Sequence, residues 1–225
     1  MSTLSAREGY RLWAPTYTGE TAISHLEQGL VTEMTPPLAG LRLLDAGCGT
    51  GRRLRGTGAA RAVGVDLSPE MLDAGLRSMG HDPAIETMVG DVRALPLPDS
   101  GFDIVWCRLV IGHLPDCATA YAELGRVADT GALVIVTDFH PAAWSAGHRR
   151  TFRHHGEVKE VEHHVHELSD HVAAAEAAGL TSIAVREAAI GPDVYDFYDR
   201  AGRFKLYAAD YGLPVVLALA FRRER

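Results

Sequence analysis

No apolar run in this 225-residue chain approaches the roughly 20 residues that a membrane-spanning helix needs. The opening residues, MSTLSAREGYRLW, lack the basic-then-apolar order of a secretory signal. Cysteine is scarce: three residues, an odd number and scattered, argue against a disulfide framework and fit a reducing cytoplasm. Lysine is scarcer still. Of 22 basic residues only Lys159 and Lys205 are lysine, and no Lys/Arg cluster offsets a formal net charge of −7. Such a chain is poorly suited to a nucleic-acid backbone, and the closing FRRER is too short to change that. No internal repeat is visible. What remains is a single domain, 47% apolar, with enough material for a substantial core.

Within that domain the apolar pattern alternates. Residues 6–35 read mostly as helix, interrupted at WAPTYTG by Pro15 and Gly19 and ended by Pro36 and Pro37. LRLLDAG (41–47), RAVGVDLS (61–68), AIETMVGD (84–91), FDIVWCRLVI (102–111) and GALVIVTDF (131–139) read as strands. TSIAVREAAI and LPVVLALAF follow as a sixth and a seventh. Between them lie helices at 68–80, with Ser68 as N-cap and Pro69 in the first turn, at 116–129, capped by Asp116, and at 168–180, capped by Ser169 and stopped by Gly179. Alternating strands and helices predict an open, mostly parallel α/β sheet.

Three features gather at the carboxyl ends of the first three strands, where such sheets bind ligands. The loop LLDAGCGTGR places Gly47, Gly49 and Gly51 after the first strand, so a ligand can approach the backbone closely. A dinucleotide fingerprint fails there, because its third small residue is Arg52; a plain tight turn is the other reading. Asp66 ends the second strand, where a carboxylate can accept both hydroxyls of a ribose. Asp91 ends the third, where it can accept from an adenine amino group while the Val92 amide donates to a ring nitrogen. Either aspartate alone reads better as a loop cap or turn residue; together, at the ends of successive strands, they read better as an adenosine site.

The segments LLDAGCGTGR, GVDLSPEML and GDVRALPLPDSGFDIVWCRLVIGHLPD resemble, in order, the core of class I S-adenosylmethionine-dependent methyltransferases. The subgroup is the small-molecule one similar to the ubiquinone/menaquinone-biosynthesis enzymes. The likeness covers about residues 41–138, and YRLWAPTY is similar to that subgroup's N-terminal segment. It implies a Rossmann-like, doubly wound, seven-stranded sheet with its last strand antiparallel. It also implies S-adenosyl-L-methionine as cofactor. Gly47 and Gly49 would lie against the methionine part, Asp66 on the ribose, Leu67 and Met71 beside the adenine, and Asp91 and Val92 on its edge. Arg108 would sit near the methionine moiety, and Tyr10 and Tyr17 would close over the cofactor. Trp13 could equally be a core aromatic. One departure is the spacing: Arg61 follows Arg52 by only nine positions, so the helix after the glycine loop looks short.

Residues 140–167 interrupt the alternation and divide the domain into an N-terminal helical cap (1–40), a cofactor-binding core (41–139), a lid insert (140–167) and the rest of the sheet (168–225). Seven of the eleven histidines fall between His148 and His171. TFRHHGE and VKEVEHHVHE read as a hairpin turning at Gly156, with Glu160, Glu162, His164 and His166 on one face. An H-x-H pair can ligate a metal, but no third ligand is specified, so no metal is expected. His113, after the fourth strand, reads as structural. His140 and His166 are the residues expected to face the acceptor and move its proton, since imidazole titrates near neutrality. The expected function is methyl transfer to an O or N atom of a small molecule, in specialised metabolism, by a cytoplasmic monomer or homodimer. A cyclisation catalyst on this fold, or a cofactor-binding regulatory protein, is the alternative.

Overall fold

The computed structural model describes residues 3–17 and 19–224. A two-residue strand, β1 (Thr3–Leu4), precedes helices α1 (Ala6–Trp13) and α2 (Ala22–Met34). Ser5 accepts from the Glu8 amide to cap α1, and Thr21 and Ser24 form a reciprocal box at the start of α2. Helix α2 stops before Thr35, whose successor, Pro36, disfavours helical backbone there. The alternating part runs β2 (Arg42–Ala46), β3 (Arg61–Asp66), α3 (Pro69–Met79), β4 (Ile85–Val89), β5 (Phe102–Arg108), α4 (Ala118–Val127) and β6 (Ala128–Phe139). A short helix α5 (Pro141–Ser145) and a hairpin, β7 (Thr151–His154) and β8 (Glu157–Val161), come next. The chain closes with α6 (Leu168–Ala177), β9 (Leu180–Ala189), α7 (Tyr195–Arg200), α8 (Phe204–Asp210) and β10 (Pro214–Arg223).

Seven strands form one sheet in the order β4-β3-β2-β5-β6-β10-β9. Only β10, the last in sequence, runs antiparallel to its neighbours, the architecture expected from the sequence. Both faces are covered, which is why its strands are apolar without alternation. Adjacent Leu43 and Leu44 of β2 enter different cores. Leu44 packs with Val63, Tyr121 and Phe221 under α4 and α6, and Leu43 with Val31, Leu54 and Trp106 under α2. Each such leucine, fully buried, contributes about 1.5–3 kcal/mol.

Local chemistry shifts several element ends. The helix after the glycine loop is a single 3-10 turn, Arg52–Leu54, and Gly56 and Gly58, both at positive φ, carry the chain to β3. Helix α4 has Cys117 as N-cap, with no side-chain bond, in place of Asp116. Helix α6 is capped by Glu167 with Asp170, two residues ahead of Ser169. Strand β5 ends at Arg108 because Leu109 adopts φ 55°, a strained conformation for leucine. The Leu109 amide donates to the carbonyl and hydroxyl oxygens of Thr137, which hold it there.

Residues 140–167 form α5, the hairpin and an extended segment. The hairpin turns through His155 and Gly156, at φ 48° and 83°, as a two-residue type I′ turn requires. Strand β8 pairs in parallel with β1. It stops at Val161, short of the expected end. The Glu162 amide donates to Leu4 and the His164 amide to Gly112, so the chain leaves the small sheet for the turn after β5.

One contact ties the core to the glycine loop. A Cβ on Gly75, midway along α3, would overlap the Thr50 carbonyl. Gly75→Ala is therefore expected to destabilise the fold by about 1–3 kcal/mol through overpacking. Chemical denaturation reads this directly, and an unchanged midpoint would show that the loop yields without cost.

Candidate active site

A cavity of about 640 Å³ opens where the carboxyl ends of β2, β3, β4 and β5 meet, a volume suited to a small molecule. In this strand order the chain reverses direction between β2 and β5, the place where open α/β sheets bind ligands. Every residue expected above to hold the cofactor lines it, from Tyr10 and Tyr17 through the glycine loop, Asp66, Leu67, Met71, Asp91 and Val92 to Arg108. Trp13 does not. It stacks on Phe152 of β7, with ring centroids 5.0 Å apart, and joins α1 to the hairpin.

The walls are built from local rules. Gly47 sits at φ 87°, and a Cβ there would collide with the Val110 side chain. Asp66 Oδ2 accepts from the Gly49 amide at 2.7 Å and Oδ1 from the Ser68 amide at 2.9 Å. Each oxygen retains a lone pair. Burial raises the Asp66 pKa, and the two amides, which favour the charged form, oppose it. Asp91 is held differently. The Arg93 guanidinium and amide grip it, at 2.6 Å for Nη2 to Oδ2 and 2.9 Å for the amide to Oδ1. The Arg93 side-chain bond keeps its pKa below the ordinary carboxylate value.

Arg108 makes a buried, bidentate pair with Glu27 of α2, at 2.8 and 2.6 Å, and its Nη2 also reaches Gln28 at 2.7 Å. Burial is the largest single influence and works against its charge, but the Glu27 bond and the nearby charges of Glu27, Asp45 and Glu20 together outweigh it, so its pKa is raised. Two polar atoms in this wall are buried without a hydrogen-bond partner: Arg108 Nη1 and Asp45 Oδ1. Burial pushes Asp45 to about 7, although the Arg108 charge pulls it down. A lone buried donor and a lone buried acceptor, on two residues that both line the cavity, are costly unless something satisfies them. Sequence reasoning passed over Asp45 and Glu27. Asp45 had a signal, since it stands at the end of an apolar strand two residues before Gly47; Glu27 had none, being one of many helical glutamates.

A second group joins the cap to the turn after β5. The His113 Nδ1 lies 3.0 Å from the Glu162 carbonyl, which can only accept, so Nδ1 carries the proton. Its Nε2 therefore accepts from the Tyr10 hydroxyl at 3.1 Å. The Tyr10 oxygen in turn accepts from Arg150 Nη1 at 2.7 Å. All three residues line the cavity, as do Glu162 and His164. Burial, helped by the Arg150 charge, depresses His113 to about 3. Burial lowers His163 to about 4 against the pull of Asp138.

Both rings are thus expected to stay neutral well below pH 6. Their folded pKa lies under the unfolded value of about 6.5. Their contribution to stability is therefore complete above about pH 6.5 and is lost as pH falls towards 4, where the unfolded chain takes up protons the folded chain refuses. Imidazole carbon shifts followed by NMR should be flat from about pH 8 to 5. A midpoint near 6.5 for either ring would show that it is solvated.

The structure does not bring His140 and His166 to this cavity. His140 caps α5: its Nδ1 accepts from the Ala142 amide at 3.0 Å, and its Nε2 meets Glu187 at 3.2 Å. His166 is buried, with Nε2 bonded to the Leu114 carbonyl at 2.9 Å. The expected alternation fails there because the extended segment leaves β8's plane after Val161. Other histidines also work within the fold. His171 lies 3.0 Å from the Tyr121 hydroxyl under α4, and His148 pairs with Asp210 at 3.1 Å. Among the described residues no three His, Cys, Asp or Glu side chains are arranged to hold a metal ion, and no helix is long and apolar enough to cross a membrane.

Comparison with known proteins agrees with this geometry. Residues 44–136 match the family model described as a methyltransferase domain. A malonyl-[acyl-carrier protein] O-methyltransferase of Dechloromonas aromatica is 30% identical over 190 residues, covering 80% of this chain and 67% of that protein. The enzyme of the same description from Serratia marcescens is 39% identical over 99 residues, covering 43% of this chain; the chain spans only 37% of that relative's length. The crystal structure of an S-adenosylmethionine-dependent methyltransferase from Mesorhizobium loti superposes with a TM-score of 0.67 at 22% identity. It covers 88% of this chain and 98% of the other, and shows the shared fold. With the glycine loop, Asp66 and the strand-end cavity already in place, these matches establish that the chain belongs to the class I S-adenosylmethionine-dependent methyltransferases.

Proposed function

We propose that this protein transfers the methyl group of S-adenosylmethionine to a hydroxyl oxygen of a small molecule. The observation that carries the reading is that one cavity is lined both by every residue expected to hold the cofactor and by a hydrogen-bonded side-chain chain able to accept a proton. The cofactor's amino-acid end is a zwitterion, and Arg108 Nη1 and Asp45 Oδ1 are the unpartnered donor and acceptor it requires. Asp66 offers two free lone pairs to ribose hydroxyls, and Leu67, Met71 and Val92 supply apolar surface for the adenine. Asp91, gripped by Arg93, has one oxygen lone pair to spare for the base edge. When bound, the cofactor supplies an electrophilic sulfonium methyl group.

The chain's own part is alignment and a proton path. The Tyr10 oxygen accepts from Arg150 and donates to His113, which leaves one lone pair open to an acceptor hydroxyl. As the acceptor oxygen gains carbon its proton becomes strongly acidic. That proton passes to the Tyr10 oxygen while the Tyr10 proton passes to His113 Nε2. His113, depressed to about 3, suits a late transfer of this kind. It does not suit an ammonium acceptor, which must lose its proton before it can attack; this favours oxygen over nitrogen. The O-methyltransferase description of the relatives supports the same choice.

Mass spectrometry of reactions with S-adenosylmethionine and candidate hydroxylated acceptors tests this reading. S-adenosylhomocysteine should form mole for mole with an acceptor heavier by one methylene. Conversion of an acceptor at constant mass, with no S-adenosylhomocysteine formed, would instead establish a cyclisation or isomerisation catalyst.

A further inference from the structure

A second cavity, of about 540 Å³, adjoins the first. Tyr10, Tyr17, Ser24, Leu109 and Arg150 line both, so two members of the proposed proton path, Tyr10 and Arg150, stand at the partition between them. The second cavity lies between the N-terminal cap, the segment leading into β7 and α7–α8. Trp13, Phe139, Phe197 and Tyr198 give it aromatic surface, beside the aliphatic Ile23, Leu109 and Leu206. Four aromatic side chains among the lining residues favour an aromatic occupant, which they can meet by stacked or edge contacts.

Its charge is unbalanced. In a chain of formal charge −7, Arg42, Arg53, Arg61, Arg93, Arg108 and Arg126 each sit against a carboxylate. The lining Arg150 bonds only neutral oxygens, those of Tyr10 and Leu109. The lining Arg203 has no side-chain hydrogen bond or ion pair among the described residues. Arg149, stacked over Trp144 at 3.7 Å, stands at the same wall and reaches a carboxylate, that of Glu160, only at 4.0 Å. The one acidic lining residue, Glu20, is already taken by Arg53. The cavity therefore holds guanidinium charge that the protein does not neutralise, which raises the local concentration of anions and rewards one that binds.

We infer that this second cavity is the acceptor site and that the acceptor is an aromatic anion, its ring against those aromatic side chains and its carboxylate on Arg150 and Arg203. The inference rests on the methyl-transfer reading for the word acceptor, but the binding claim stands separately. An acceptor so held presents its ring edge to the partition where Tyr10 stands.

Calorimetry with 1-naphthoate and its neutral isostere 1-naphthamide, on protein saturated with S-adenosylhomocysteine, tests it. Naphthoate should bind about tenfold or more tightly than the amide, the effect of one charge-assisted hydrogen bond. The preference should shrink in Arg203→Gln and nearly vanish in Arg150→Gln, with amide binding retained. Arg203 lines only the second cavity, so R203Q should bind S-adenosylhomocysteine as the parent does, which separates lost recognition from lost folding. Equal binding of the two probes, binding of neither, or a preference that survives in both variants would overturn the inference. Failure of S-adenosylhomocysteine to bind the parent protein would instead remove the methyl-transfer reading.

Discussion

Tyr10→Phe is expected to lower kcat for methyl transfer by about 10²–10⁴, the range for loss of a positioned acid–base group, while leaving KM for S-adenosylmethionine nearly unchanged. The substitution keeps the ring, which meets His113 edge-on at 5.3 Å and contacts Trp13 and Tyr17, so the cap should remain packed. It removes only the oxygen that bonds His113 and Arg150. A fall in kcat and kcat/KM together, at fixed cofactor affinity, marks an interaction made in the transition state. His113→Gln should give a comparable loss, because an amide side chain can still bond the hydroxyl but cannot take up the proton. The two losses should not multiply, since the residues act as one unit. Near-normal turnover by Tyr10→Phe with its true acceptor would remove the proton path from the account.

Asp66→Ala should weaken S-adenosylhomocysteine binding by about 1.5–3 kcal/mol, a factor of roughly 10 to 150, for loss of hydrogen bonds to a charged group. In the proposed site the carboxylate has two jobs. It offers lone pairs to a ribose, and it fixes the loop by accepting from the Gly49 and Ser68 amides. Asp66→Asn separates them only in part, because its single carbonyl oxygen can serve one amide but not both. The asparagine variant should fall between the parent and alanine in affinity. Calorimetry at a temperature where circular dichroism shows each variant folded provides the comparison. Unchanged affinity in Asp66→Ala would place the cofactor elsewhere.

That the cofactor candidates would line one cavity was legible in the sequence, because those residues are tied to strand ends. Gly47, Asp66 and Asp91 each stop an apolar run, and a parallel sheet must bring the ends of consecutive strands to one edge. The Tyr10–His113–Arg150 group proposed as the proton path was not, because its members come from separate elements with no shared period. Tyr10 lies on α1, His113 in a turn after β5, and Arg150 in the segment before β7. Nothing local in the sequence says that a parallel pairing of β1 with β8 will draw α1 against that turn. The histidine-rich stretch misled for a related reason. Read as a continuous strand it puts His164 and His166 on one face. The backbone breaks from that geometry at Glu162, so His164 reaches the cavity while His166 turns under Leu114. The cap shifts at α4 and α6 are smaller errors of the same origin, since a cap depends on where a loop arrives as well as on residue type.

The measurement that bears most directly on the account is a crystal structure of the complex with S-adenosylhomocysteine. Ribose hydroxyls are expected on Asp66, the amino-acid end between Arg108 and Asp45, and the sulfur directed at the partition formed by Tyr10 and Arg150. A nucleoside bound in the same cavity with its ribose away from Asp66, or with its sulfur facing away from Tyr10, would contradict this arrangement.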